Sequence, residues 1–283
     1  MSDPTAHRAA IAAGARDGAA FRLMLPREAM RGASGERLGL AAGSSLDFHD
    51  YREYQPGDDL RRLDWSAYAR SDKQIVKLFR EEVSPKLEII LDCSRSMDPQ
   101  DSPKAAAALR LAAALAAAAG NSRCACAVWL AGEQLALMPG SSDPPETWET
   151  PRFDARALPE FAAAAFRSNS IRVLISDLLW PAAPAPLLRS LANRAASFAA
   201  LQALSAEEEN PAPSGAARLE DAETGAELDI VVDESACRAY RAALRAHREE
   251  WSRACRAAGA LFLPLSAENP SLMPLVAAGL LEP

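Results

Sequence analysis

The stretch Lys86-Leu-Glu-Ile-Ile-Leu-Asp92-Cys-Ser94-Arg-Ser96-Met97 closes an apolar run with one carboxylate and two hydroxyls at alternating positions. The apolar run reads as a buried strand of a parallel sheet. Asp92, Ser94 and Ser96 at its carboxyl end can converge on one point, and all three are hard oxygen donors that suit Mg²⁺ or Mn²⁺ and not zinc. Ligands of open α/β sheets sit just beyond the carboxyl ends of the strands. The pattern therefore describes a place where a metal completes its coordination with an oxygen from a partner. The ordinary alternative is an N-cap for the helix that follows. A second apolar run, Ile171-Arg-Val-Leu-Ile-Ser-Asp177, also ends in an aspartate. If the two strands run parallel, Asp177 stands opposite Asp92 across the metal, directly or through a water; a turn or helix cap is its alternative role.

The elements that must position these residues are legible from residue 86 onward as strand–helix alternation, the pattern of a parallel sheet with crossovers. Strands are expected at Leu87–Leu91, Ala125–Leu130, Ile171–Ser176, Phe198–Leu204 and near Leu261–Leu265, and helices at Pro103–Ala119, Asp154–Arg167, Pro184–Ala196 and Glu234–Ala258. Gln134–Met138 can pair with the second strand as a hairpin. Glu220-Asp-Ala-Glu-Thr-Gly225 reads as the turn of another hairpin between Arg218 and Val232, after a surface loop at Asn210–Gly215. Ahead of the alternating part, residues 1–43 look helical and amphipathic, with Pro26 opening a second helical piece. Leu46–Arg70 is polar, aromatic and turn-rich around Pro56-Gly57, and Gln74–Phe79 alternates as a half-buried strand. The expectation is an α/β fold with a mainly parallel sheet flanked by helices. An N-terminal extension (1–80) would precede a main domain (81–283) carrying a small β-hairpin insertion.

Composition narrows the functional classes. The 283 residues are 49% hydrophobic and 24% charged, ordinary for a globular protein. A net charge of −7, with no free-standing Lys/Arg block, disfavours nucleic acid as a partner. The most apolar stretch, Ala105–Ala119, is too short for a membrane span and is interrupted by Arg110. The first residues lack the layout of a secretion signal, and the expected location is cytoplasmic. Five cysteines at 93, 124, 126, 237 and 255 form no CxxC pair, so they read as small buried apolar residues, not as a zinc site or a disulfide framework. His7, His49 and His247 are far apart and suggest no histidine-based metal site.

The layout resembles the von Willebrand factor A fold, whose metal-ion-dependent adhesion site uses Asp-x-Ser-x-Ser, a threonine from a second loop and an aspartate from a third. More narrowly, the block from Leu46 through Tyr51-Arg-Glu-Tyr54-Gln-Pro-Gly-Asp58-Asp59-Leu-Arg61-Arg62-Leu-Asp64-Trp65 to Arg70 is similar to the signature of a bacterial domain-of-unknown-function family, number fifty-eight. Further matches are Val76-Lys-Leu-Phe-Arg-Glu-Glu, Leu91-Asp-Cys-Ser-Arg-Ser-Met, Val173-Leu-Ile-Ser-Asp-Leu-Leu and Arg218-Leu-Glu-Asp-Ala-Glu-Thr-Gly-Ala-Glu-Leu. The similarity runs from about residue 27 to the C-terminus. The resemblance implies a non-enzymatic partner-binding protein associated with MoxR-type AAA+ ATPases, which are thought to assemble or activate other complexes. Asp92, Ser94 and Ser96 match the first metal loop and Asp177 the third. The family's second loop commonly offers Gly-Gly-Thr before a helix. This chain has Gly140-Ser-Ser-Asp-Pro-Pro-Glu-Thr147-Trp-Glu-Thr150-Pro151, where Thr150 is the better match, Thr147 the poorer, and Ser141 and Ser142 are remoter.

In the implied mechanism the Ser94 and Ser96 hydroxyls contact Mg²⁺ or Mn²⁺, Asp92 and Asp177 act directly or through water, and a glutamate or aspartate of the partner takes a solvent-facing position. Two other classes stand beside this one. A Mg²⁺-dependent phosphohydrolase would use Asp92 as nucleophile, but such enzymes usually carry a second aspartate where this chain has Ser94, and no well-placed catalytic lysine is evident. A metal-free scaffold would keep the fold and bind partners by other surfaces. The Tyr54–Trp65 block has no evident chemistry; it either braces the N-terminal region against the fold or forms an exposed docking surface, with Trp65 and Tyr68 able to serve as buried anchors in both cases.

Overall fold

The computed structural model describes residues 4–26, 46–56, 58, 63–71, 74–81, 86–156, 166–180 and 182–283. The chain forms two compact units: Met1–Pro26 together with Pro85–Pro283, and Arg27–Ser84. In order, the elements are α1 (Pro4–Gly18), β1 (Arg22–Leu23), β2 (Leu46–Glu53), α2 (Trp65–Ser71), β3 (Ile75–Glu81), β4 (Lys86–Asp92), α3 (Lys104–Asn121), β5 (Ala125–Ala131), β6 (Leu135–Leu137), β7 (Ile171–Ser176), α4 (Pro184–Ala192), β8 (Ser197–Leu204), α5 (Ala206–Glu209), β9 (Gly215–Glu220), β10 (Glu227–Val232), α6 (Glu234–Ala257), β11 (Leu261–Ser266), α7 (Met273–Ala277) and β12 (Leu281–Glu282). Short 3-10 turns lie at Arg95–Met97 and Pro145–Thr147.

The larger unit is built on a six-stranded sheet in the order β11-β8-β7-β4-β5-β6. All neighbours are parallel except the β5–β6 hairpin at the edge. Strand β4 is central and buried on both faces: Leu87, Ile89 and Leu91 join a cluster with α1, α3 and α7, while on the other face Ile90 joins the cluster beneath α4 and α6 between the buried Glu88, paired with Arg172, and Asp92. Such two-sided burial is what a parallel strand with crossovers requires. From β4 the chain crosses by α3 to β5 on one side, then returns to β7 on the other. The order therefore reverses between β4 and β7, and an open α/β sheet forms its binding crevice at such a reversal. Asp92 ends β4, and Ser176-Asp177 ends β7.

Helix α3 is buried along most of its length, with alanines at most positions and only short side chains holding neighbours away. Helix α1 lies against it so closely that a Cβ on Gly14 or Gly18 would stand 2.1 Å from the carbonyl oxygen of Arg110 or Ala114. An ion pair from Arg110 to Asp17 (2.6 Å) and the antiparallel pair β1–β12 complete the attachment. The first 26 residues thus belong with the larger unit, and the division differs there from the expected boundary after residue 80. The second piece of the expected N-terminal helical region, from residue 27, lies outside the described residues.

The smaller unit pairs β2 with β3 antiparallel, with an irregularity between Phe48 and Asp50. The turn-rich reading of Leu46–Arg70 missed β2 and α2, because the aromatic and charged residues obscure the alternation that marks a strand. Asp64 caps α2 by accepting from the Ser66 and Ala67 N–H groups, each at 3.0 Å. Among the described residues no helix is long and apolar enough to cross a membrane.

Candidate functional site

Asp92 leaves β4 with its carboxylate engaged at both oxygens. Oδ1 accepts the Ser94 N–H at 2.9 Å, the local turn that Asp favours two residues ahead of a backbone donor. Oδ2 accepts the Ser176 hydroxyl at 2.6 Å, so the ends of β4 and β7 are joined side chain to side chain. The Ser176 oxygen in turn accepts the Leu178 N–H at 2.9 Å. Burial pushes the Asp92 carboxyl up to about 7, and the nearby Asp177 charge pushes the same way, against the bonds from Ser176 and Ser94. The Ser94 and Ser96 hydroxyl oxygens lie 3.0 Å apart.

Asp177 is also buried, but its carboxylate is already neutralised. Oδ2 accepts from Lys104 Nζ at 3.0 Å and Oδ1 from the Leu179 N–H at 3.2 Å. Lys104 is the first residue of α3, where the helix dipole disfavours a cation. Its ammonium is held there by Asp177 and by Glu208 Oε1 at 2.5 Å. Burial works against that charge, yet the two carboxylates outweigh it and hold the Lys104 pKa above its ordinary value. Glu208 is itself fixed by a reciprocal cap with Ser205 at the start of α5. The backbone at this corner is strained: Leu178 has φ +56°, a region leucine rarely enters. Hydrogen bonds hold it there, from Gln202 Nε2 to the Asp177 carbonyl (2.9 Å) and between the His247 ring and the Leu178 carbonyl (2.6 Å).

The second loop differs from expectation. Thr150 forms no hydrogen bond with Asp92, Ser94, Ser96 or Asp177 among the described residues, and the Thr147 hydroxyl is spent on the Pro144 carbonyl at 2.8 Å. The helix expected from Asp154 does not begin there. Pro151 biases Thr150 away from helical geometry, and Ala155 instead runs extended, bridging Ser94 through bonds to Cys93 and Arg95. Residues 157–165, in the middle of the expected helix, lie outside the described residues. The structure therefore brings Asp92, Ser94, Ser96 and Asp177 to one sheet edge and places Thr150 five residues before Ala155, which forms an isolated bridge with Ser94.

Four participants escaped the sequence reading: Ser176, Lys104, Glu208 and Glu223. A lysine opening a helix is an anomaly that asks for an acidic partner, and Ser176 immediately precedes a recognised acid. Glu223 sits in the β9–β10 turn and has no periodic signal at all. Its Oε1 accepts the Ser96 N–H at 3.2 Å, and its Oε2 is buried without a hydrogen-bond partner.

The chemistry of this donor set fits a hard divalent cation. Asp92 is buried beside two hydroxyls, the neighbouring ammonium of Lys104 is bonded to Asp177 and Glu208, and a carboxylate oxygen of Glu223 lies buried and unbonded. Among the described residues, no group of three or more His, Cys, Asp or Glu side chains could hold a metal ion, so a site here would need the serine hydroxyls.

The chain is 28% identical over 264 residues to Uncharacterized protein Mb1516 of Mycobacterium bovis and to Uncharacterized protein Rv1480 of Mycobacterium tuberculosis, across 86% of this chain and 81% of each relative. Among solved structures it is similar to the conserved hypothetical protein BatB from Bacteroides thetaiotaomicron, with TM-score 0.40 and 14% identity over 69% of this chain and 95% of the other. It is similar too to an aerotolerance-related membrane protein from Bacteroides fragilis, with TM-score 0.38 and 16% identity over 69% of this chain and 98% of the other. Residues 50–250, well over half the chain, match the family described as Protein of unknown function DUF58, and the chain belongs to that family.

Proposed function

We propose that this chain is a non-enzymatic protein-binding module of von Willebrand factor A type, holding Mg²⁺ or Mn²⁺ at Asp92, Ser94 and Ser96 and offering it to an acidic side chain of a partner. The observation that carries this reading is the buried Asp92 carboxylate facing a pair of hydroxyls 3.0 Å apart, at the sheet edge where the strand order reverses. A buried carboxylate away from any cation is costly unless it is protonated or a counter-ion arrives. A bound divalent ion would supply that charge and a coordination position for an incoming carboxylate oxygen. Ser176 orients Asp92, and the Lys104–Asp177 pair keeps the third loop in place without placing a free negative charge at the site. By family resemblance the partner is a MoxR-type AAA+ ATPase, acting in the cytoplasm, where ATP is available to it, in the assembly or activation of another complex.

Calorimetric titration of Mg²⁺ and of Mn²⁺ into the purified chain tests this, with Asp92→Asn as the control that keeps the side-chain shape. Binding that disappears in the variant is the expected result. No binding by either protein would sink the metal reading. One observation favours that second reading, a metal-free scaffold: the Lys104 ammonium already stands at Asp177, the residue that would otherwise face the ion from the third loop.

A further inference from the structure

The β9–β10 hairpin is exposed on most of its residues. Its turn is rigid: Asp221 Oδ1 accepts from the Glu223 N–H (3.0 Å), the Thr224 N–H (2.7 Å) and the Thr224 hydroxyl (2.8 Å), and Gly225 takes φ +71°. Asp221, Ala222, Thr224 and Gly225 all face solvent, whereas Glu223 is half-buried. The turn thus presents one side chain inward, and that side chain reaches across 127 residues of sequence to the Asp-x-Ser-x-Ser loop. One of its oxygens is bonded to the Ser96 N–H; the other is shielded from water and bonded to nothing. Leaving a carboxylate oxygen in that condition is unfavourable unless something other than the chain's own donors meets it.

We propose that Glu223 is an in-chain acidic ligand that closes the cation site, standing where a partner's carboxylate would otherwise bind. This rests on the metal reading given above and adds to it a resident occupant for the position facing outward. It also specifies how a partner gains access: its own acidic side chain must replace Glu223, which requires the hairpin to lift from Ser96. The chain's closed form is then self-sufficient, and the partner recognised is one presenting an aspartate or glutamate where the hairpin tip now sits.

Mn²⁺ binding is the probe, followed by the electron paramagnetic resonance signal of free Mn²⁺, on the full chain with Glu223→Gln, Glu223→Ala and Asp92→Asn. Gln keeps an acceptor for the Ser96 N–H, so loss of that contact does not confound the result, and circular dichroism checks folding of each variant. The expected result is affinity weakened by about tenfold or more in both Glu223 variants. Acetate should restore affinity in Glu223→Ala while changing wild type little. Hydrogen exchange should show residues 221–225 more protected with Mn²⁺ than without it in the wild-type chain. Wild-type affinity in both Glu223 variants, with binding still lost in Asp92→Asn, would overturn the role of Glu223 and leave the metal site standing. No Mn²⁺ binding by the wild-type chain would overturn both.

Discussion

Lys104 Nζ lies 3.0 Å from Asp177 Oδ2 with both side chains sealed from water, so the third acidic loop of the site is bound by a fixed cation of the chain itself. A buried pair of this kind contributes little relative to apolar residues of the same shape, but removing one member strands the other. Lys104→Met should therefore destabilise the chain by about 3–5 kcal/mol, measured by urea unfolding. Adding Asp177→Asn to it should recover part of that loss, because the more deeply buried of the two carboxylates left behind is gone. A single variant as stable as wild type would show that Asp177 finds another counter-charge.

The raised pKa of Asp92 gives the metal-free chain a stability that depends on pH. Its folded value of about 7 exceeds its ordinary 3.8, so the folded state holds the proton more tightly than the unfolded chain does. That contribution is fully present below about pH 4 and is lost as pH rises through about 7, on the order of 4 kcal/mol in all. In EDTA, the melting temperature should fall between pH 5.5 and pH 7.5 more steeply for wild type than for Asp92→Asn, whose amide does not titrate. Equal slopes would mean that Asp92 is solvated or already paired.

The sheet and its acidic edge were readable because they depend on local pattern. Every expected strand from Leu87 to Leu265 is present, since continuous apolar runs bounded by turns have few other solutions. That β4 and β7 both run into an aspartate suggested their carboxylates could share an edge, and the two strands do pair in parallel. What escaped depends on contacts distant in sequence: Lys104 meets Asp177 across 73 residues and Ser96 meets Glu223 across 127. The surroundings of Thr150 were hard to read for a related reason. A threonine ahead of a helix was the expected geometry, but the segment runs extended at Ala155 to bridge Ser94, a tertiary pairing that no local propensity announces. The first helical piece sits with the larger unit through Gly14 and Gly18, the close-contact positions of α1 against α3, and no local pattern marks those two glycines as a contact surface.

Those two glycines make a sharp prediction. Replacing a helical glycine with alanine ordinarily stabilises, as Gly120→Ala should by about 0.4–1 kcal/mol, since nothing lies within 4 Å of the added methyl. Gly14→Ala puts its Cβ 2.1 Å from the Arg110 carbonyl oxygen, a backbone atom of α3 that moves only if the helices part. It should cost about 1–3 kcal/mol despite its better helix propensity. Thermal unfolding of the two variants side by side checks the contrast in sign.

Trp65 separates bracing from docking in the Tyr54–Trp65 block. It is 61% exposed and meets Tyr68 edge to face, with ring centroids 6.3 Å apart, so it does not anchor a core. Trp129 and Trp180 are half-buried, and Trp148 and Trp251 are buried. Trp65 should therefore dominate the fluorescence that acrylamide quenches readily. Trp65→Ala should remove most of that quenchable signal while changing unfolding stability by less than about 0.5 kcal/mol, as surface substitutions do. A loss above 1 kcal/mol would establish bracing instead. Should stability hold, a large apolar ring kept at the surface costs solubility without serving the fold, and the docking reading of the Tyr54–Trp65 block is the one that explains it.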